Sequence, residues 1–247
     1  MSRITQRGAT TPFDLFATST DASLATMVGT RWDLEDGGQL LLVQTAAATT
    51  TVAGKLYADP VLVTNNLDLV TTAFQAYSAN GNTPATVTAT LGGTAVTANQ
   101  YQGGFLIVEE GTGLGQTLRI AGHPAQATTT GNVVITLEDA PGVALDTTSK
   151  VSLIPAHGSN VIISPTTPTV ACGVALYAIA PSSYGFVKCK GLCGAVSDSS
   201  NATVANSIMP STTTAGDVTL FIVTGANIGS AGQTGVSAKA TLVMLNI

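Results

Sequence analysis

The clearest alternation of apolar and polar positions lies between Tyr101 and Ile154. Phe105–Glu109 is apolar and partly branched, and Glu110-Gly-Thr-Gly113 can reverse it. Gln116–Ile120 then alternates, with Leu118 and Ile120 on one face and Thr117 and Arg119 on the other. Val133, Ile135 and Leu137 repeat the period of two until Asp139-Ala-Pro-Gly142 stops them, and Val151 and Leu153 begin a further strand. A period of two between Gly, Pro and Asp clusters predicts an antiparallel meander with one buried face.

The same reading extends both ways. Leu40 and Leu42 alternate with Leu41 and Val43, so Gln39–Gln44 is expected to be a strand covered on both faces. Lys55–Tyr57, Val61–Val63 and Leu67–Tyr77 are further strand candidates, with Asp59-Pro60 as a break. Val87, Ala89 and Leu91 alternate with threonines, and Gly92-Gly93 suits a two-residue hairpin turn. Beyond Ile154, strands are predicted at Val161–Ser164, Val170–Ala180, Gly185–Lys190, Val218–Val223 and Lys239–Ile247, joined by loops over Ser197–Gly216 and Thr224–Gly235. The last strand is apolar on both sides, which predicts a central place in its sheet.

Residues 1–31 are polar and small, with Phe13, Leu15 and Phe16 as isolated apolar anchors. Thr20-Asp21-Ala-Ser can cap a short helix through Met27, with Leu24, Met27 and Val28 on one face. The expected fold is all-β: antiparallel sandwich or barrel modules with an extended N-terminal arm. Pro165-Thr-Thr-Pro168 is the best boundary, giving an arm over 1–31, a first β-module over 32–164 and a second over 165–247.

Charge changes this picture most. Only 9% of the 247 residues are charged, against about 25% in ordinary soluble domains. So few charges leave sheet edges weakly protected, which a permanent assembly or a coat of threonine, serine and glycine would each answer. The net charge of −5 and the scattered basic residues argue against nucleic acid as a partner. The N-terminus shows no secretory signal, and the longest apolar run is too short for a membrane helix of about 20 residues. Three cysteines suit no disulfide framework. In an extended run Cys189 and Cys193 would stand about 13 Å apart, beyond the roughly 7 Å reach of a bridge. Free, buried thiols are expected.

Candidate chemistry is sparse. Gly111-Thr-Gly113-Leu-Gly115 superficially matches a dinucleotide fingerprint, but a strand follows where that motif needs a helix, so these are turn glycines. Glu109/Glu110 and Glu138/Asp139 are adjacent carboxylate pairs; a glycosidase would need two carboxyls about 5–9 Å apart, and neighbours on a strand face opposite ways. His123 and His157 stand in Gly/Pro loops, and Ser159 in HGSN lacks a nucleophile elbow. The sequence predicts no catalytic residues, no metal ligands and no cofactor.

Several stretches carry a resemblance: LGGTAVTANQYQGGFLIV (Leu91–Val108), EGTGLGQTLRI (Glu110–Ile120), ALDTTSKVSLIP (Ala144–Pro155) and VIISPTT (Val161–Thr167). It continues more loosely through GVALYAIAPSSYGFVKCKG (Gly173–Gly191) and VTLFIVTGANIG (Val218–Gly229). Over roughly two thirds of its length the chain resembles a family of virion proteins of tailed bacteriophages, many from aquatic phages. The resemblance implies a capsid decoration (cement) protein on the capsid exterior, assembled in the host cytoplasm and partnered by the phage major capsid protein. A homotrimer fits quasi-threefold points where capsomers meet. The alternative is a tail, fibre or receptor-binding structural protein, though fixed-period repeats and aromatic clusters are lacking. Phe13, Leu15, Phe16 and Trp32 are the expected residues of the capsid or subunit interface.

Overall fold

Strands fill the computed structural model, which describes residues 14, 16–78, 83–167, 169–198, 205–220, 227–233, 236 and 238–247. The chain forms two units: Val61–Ala156, and Met1–Pro60 together with His157–Ile247. The first is thus an insertion in the second. The boundaries expected after residues 31 and 164 fall elsewhere, at Pro60/Val61 and Ala156/His157.

In chain order the discontinuous unit begins with β1 (Arg31–Asp33), β2 (Gln39–Gln44) and β3 (Leu56–Ala58). The inserted unit holds β4 (Leu69–Gln75), β5 (Thr86–Thr90), β6 (Phe105–Glu110), β7 (Thr117–Gly122), β8 (Asn132–Leu137) and β9 (Lys150–Ile154). The chain then returns through β10 (Ile162–Ile163), β11 (Ala171–Ala175), β12 (Tyr184–Ser197), β13 (Ser207–Pro210), β14 (Val218–Leu220), β15 (Gly229–Ala231) and β16 (Lys239–Asn246). All ladders between these strands are antiparallel.

The inserted unit is a closed barrel in the order β4-β5-β8-β7-β6-β9. The alternating positions explain it: Val87 and Ala89 of β5 stand opposite Ile135 and Val133 of β8, and Leu106 and Val108 of β6 opposite Leu153 and Val151 of β9. All eight point inward and are buried. Each contributes up to about 1.5–3 kcal/mol for its buried apolar area, alanine less. Closure leaves no strand edge to protect. The β6–β7 reversal is the glycine-rich turn expected from the sequence. Gly111 sits at φ 77°, and a Cβ there would lie 2.0 Å from the Thr148 carbonyl oxygen, so only glycine fits. Gly92-Gly93 does not make a hairpin. Their amides donate to the carbonyls of Asn65 and Thr129, carrying the chain across the barrel end instead of back along β5. Val61–Val63 is not a strand.

The discontinuous unit is a ten-stranded sheet, β10-β3-β11-β12-β16-β15-β13-β14, with β2 also paired to β12 and β1 to β2. β3 explains the displaced boundary: it pairs with both β10 and β11, from the far side of the insertion. β12 runs fourteen residues, through the Gly191 at which the sequence reading stopped. β2 is covered on both faces, as its double alternation predicted, and so is the first half of β12. Leu40, Leu42, Tyr184 and Phe186 pack with Trp32 and Leu24, while Leu41, Val43, Val187 and Cys189 pack with Tyr57 and Ile179. β13 and β15 lie within segments read as loops, because SIMP and GSA carry no alternation. The predicted Val218–Val223 strand is seen over Val218–Leu220, and residues 221–223 lie outside the described residues. Among the described residues, no helix is long and apolar enough to cross a membrane.

Over residues 16–31, the part described, the N-terminal segment corrects the expectation of an extended arm and keeps the short helix that Asp21 was expected to cap. Asp21 caps a 3-10 helix, Ala22–Met27, by accepting from the Ser23 amide. Leu24 of that helix is buried, with Met27 and Val28 packed against the same cluster. Ser19 exchanges backbone hydrogen bonds with Tyr184, and the Gly29 amide donates to the Leu42 carbonyl. Residues 16–31 therefore dock on their own unit; residues 1–13 and 15 lie outside the described residues.

Candidate functional site

The expected interface residues separate on inspection. Phe13 and Leu15 lie outside the described residues. Phe16 is 61% exposed, and its ring stands edge-on to Tyr177 at 5.9 Å between centroids. The Tyr177 hydroxyl donates to the Ala17 carbonyl and accepts from the Phe186 amide, which fixes the backbone beside Phe16. Trp32 is not a surface anchor. Only 5% of it is exposed, and it packs edge-on against Phe186 at 5.3 Å. Trp32 is the middle residue of β1, and its large apolar ring faces the core while Arg31 and Asp33 face out.

A different surface stands open. Val243 and Leu245 of β16 are buried, but Leu242 and Met244 point the other way and are exposed, as is Leu192 of β12. Leu192 stands opposite Met244, and Leu242 opposite Gly194, so these side chains share one sheet face. β16 is central in its ladder, between β12 and β15. That central place is the one its double-sided apolar pattern predicted, but the residues on this face stay largely exposed. A shallow groove lined by Ser207, Asn227, Ser230, Met244 and Asn246 adjoins it.

Glu110, Glu138 and His123 of the barrel have local partners. Glu110 pairs with Lys150 at 2.5 Å, and Glu138 with Arg119 at 3.1 Å. His123 is buried against Tyr101. Its Nε2 accepts from the Tyr101 amide at 3.1 Å, leaving Nδ1–H to donate to the Pro124 carbonyl at 2.9 Å. That pairing requires the neutral ring, and burial pushes its pKa below the usual histidine value. The three cysteines are free and buried. Burial raises the Cys193 thiol to about 11.

One polar cluster was invisible in the sequence. Asp59 follows β3, His157 opens the return segment, and Cys172 lies on β11. Asp59 Oδ2 accepts from His157 Nδ1 at 2.7 Å, while Oδ1 accepts from the Gly158 amide at 2.8 Å and from the Cys172 thiol at 3.1 Å. Cys172 Sγ lies 3.9 Å from His157 Nδ1. A β-bulge aims the thiol: Ala171 stands opposite Ala58 and Gly173 opposite Tyr57, leaving Cys172 as the extra residue. Gly173 carries φ 154°, and a Cβ there would lie 2.6 Å from the Lys188 carbonyl oxygen. Burial and, next, the Asp59 carboxylate push the Cys172 thiol well above its usual range. The cluster spans 98 residues between Asp59 and His157, so no local spacing announces it. The turn-prone HGSN around His157 was its one visible trace.

Comparisons with protein-family models, curated proteins and solved structures find no match to this chain.

Proposed function

We propose that the protein is a capsid decoration protein of a tailed bacteriophage, binding the outer shell of major capsid protein as a homotrimer. The observation that supports this most is the open face of β12 and β16. Leu192, Leu242 and Met244 expose apolar surface in a chain with only 9% charged residues. Such a surface favours permanent cover, and closed symmetric assembly is a usual way to supply it. The stretches from Leu91 to Val108 and from Ala144 to Pro155, which resemble phage virion proteins, fall in the barrel and its connections. The function is mechanical: contacts that bridge neighbouring capsomers favour the assembled shell by mass action. Phe13, Leu15 and Phe16 remain the proposed grip on the shell, without Trp32.

The test is electron microscopy of phage particles whose copy of the chain carries a tag in the loop around Val143, which is exposed. Label over the whole shell is expected. Label confined to one vertex, as for a tail or fibre protein, contradicts decoration.

A further inference from the structure

The geometry points to a zinc-class metal site made by Asp59, His157 and Cys172, where the chain leaves the discontinuous unit and returns to it. The donor set is the first argument. One thiolate, one imidazole and one carboxylate suit a first-row divalent cation of borderline softness. Magnesium and calcium instead ask for oxygen ligands throughout. The donor atoms all lie within 4.8 Å of one another.

Distances are the second argument. Zinc bonds of about 2.3 Å to sulfur and 2.0–2.1 Å to nitrogen and oxygen put tetrahedral ligand atoms about 3.3–3.6 Å apart. The His157 Nδ1–Asp59 Oδ2 pair at 2.7 Å must open by about 0.6 Å. The Cys172 Sγ–His157 Nδ1 pair at 3.9 Å must close by about 0.3–0.4 Å. Side-chain rotations supply such shifts, because the His157 and Asp59 side chains are 33% and 19% exposed. That exposure also gives the ion an entry path and leaves its fourth position to water. Cys172, fully buried, needs no movement to stay in place.

The supporting shell is the third argument. The Gly158 amide already holds one carboxylate oxygen, the kind of outer contact that orients a ligand. Binding is balanced by protons: the thiol releases one to solvent, and His157 moves its N–H from Nδ1 to Nε2. Affinity therefore rises with pH. The bound ion ties β3, β11 and the return segment at one point of the discontinuous unit.

Cobalt(II) is the probe, titrated into the full-length, chelator-treated protein under reducing conditions. One equivalent should produce a near-ultraviolet thiolate-to-cobalt charge-transfer band and intense visible bands of a four-coordinate ion, both bleached by zinc. Cys172→Ser should abolish the charge-transfer band. His157→Ala, at a partly exposed position, should weaken binding more than about tenfold. Cys193→Ala should change neither. Zinc should raise the melting temperature of the wild type and not of His157→Ala. No charge-transfer band at a hundredfold excess of cobalt overturns the site, as does a band whose affinity is unchanged in His157→Ala. Should Cys172→Ser fail to fold, the wild-type titration and His157→Ala decide the matter alone.

Discussion

At the residue scale, the side chains with the most specific surroundings are those the sequence describes least. The turn glycines were legible, because Gly111 needs a backbone that other residues avoid and its neighbours are a strand on each side. The tautomer of His123 was not, since its partners, the Tyr101 amide and the Pro124 carbonyl, are set by tertiary packing. Trp32 was misplaced for the same reason: a lone aromatic in a polar stretch looks like an anchor until Phe186 arrives from far along the chain to cover it. His123 yields a pH prediction. Its folded pKa lies below its unfolded value, so between those two values the unfolded chain binds more protons. Stability should then fall as pH drops below about 6.5, the unfolded histidine value. Denaturant melts at pH 5 and pH 7 check this, the difference being smaller in His123→Gln than in the wild type. An equal difference in both would show that the ring is not held neutral.

At the element scale, alternation located most strands and failed where alternation is not what makes a strand. β2, β5, β6, β8 and β9 were readable because each has one face, or both, packed against a core. β15 was not, because its small residues pair through backbone groups and leave no pattern in side chains, and β13 was not, because Ile208 and Met209 are adjacent and both buried, which breaks the alternation. β16 shows both cases. Its double-sided apolar character placed it correctly between two neighbours, yet only Val243 and Leu245 face the core. Removing Val243–Ile247 loses those two buried side chains, at about 1.5–3 kcal/mol each, and strips β12 and β15 of a partner. That is a large part of a typical margin of about 5–15 kcal/mol. The truncated chain should fail to fold or melt far lower, while Met244→Ser, whose side chain points away from the core of its own chain, should still fold. Thermal melts of both variants decide it, and an unchanged melting temperature in the truncation would make the strand peripheral.

At the scale of the whole molecule, the all-β class was legible and the order of its parts was not. Proline-rich segments suggested modules in sequence, whereas β3 pairs across the insertion with β10 and β11. Such pairings join residues about a hundred positions apart, and nothing local encodes them. The same non-local closure gathers Asp59, His157 and Cys172. Assembly is what the exposed sheet face and the low charge ask for, and decoration of a phage shell is the form proposed. The most direct measurement of that proposal mixes purified protein with tailed-phage shells lacking it, counts the copies that sediment with them, and records the temperature at which the shells rupture. Saturable binding in multiples of three, with rupture at a higher temperature, is the predicted result. Shells that bind no protein, or bind it and rupture unchanged, would contradict the account.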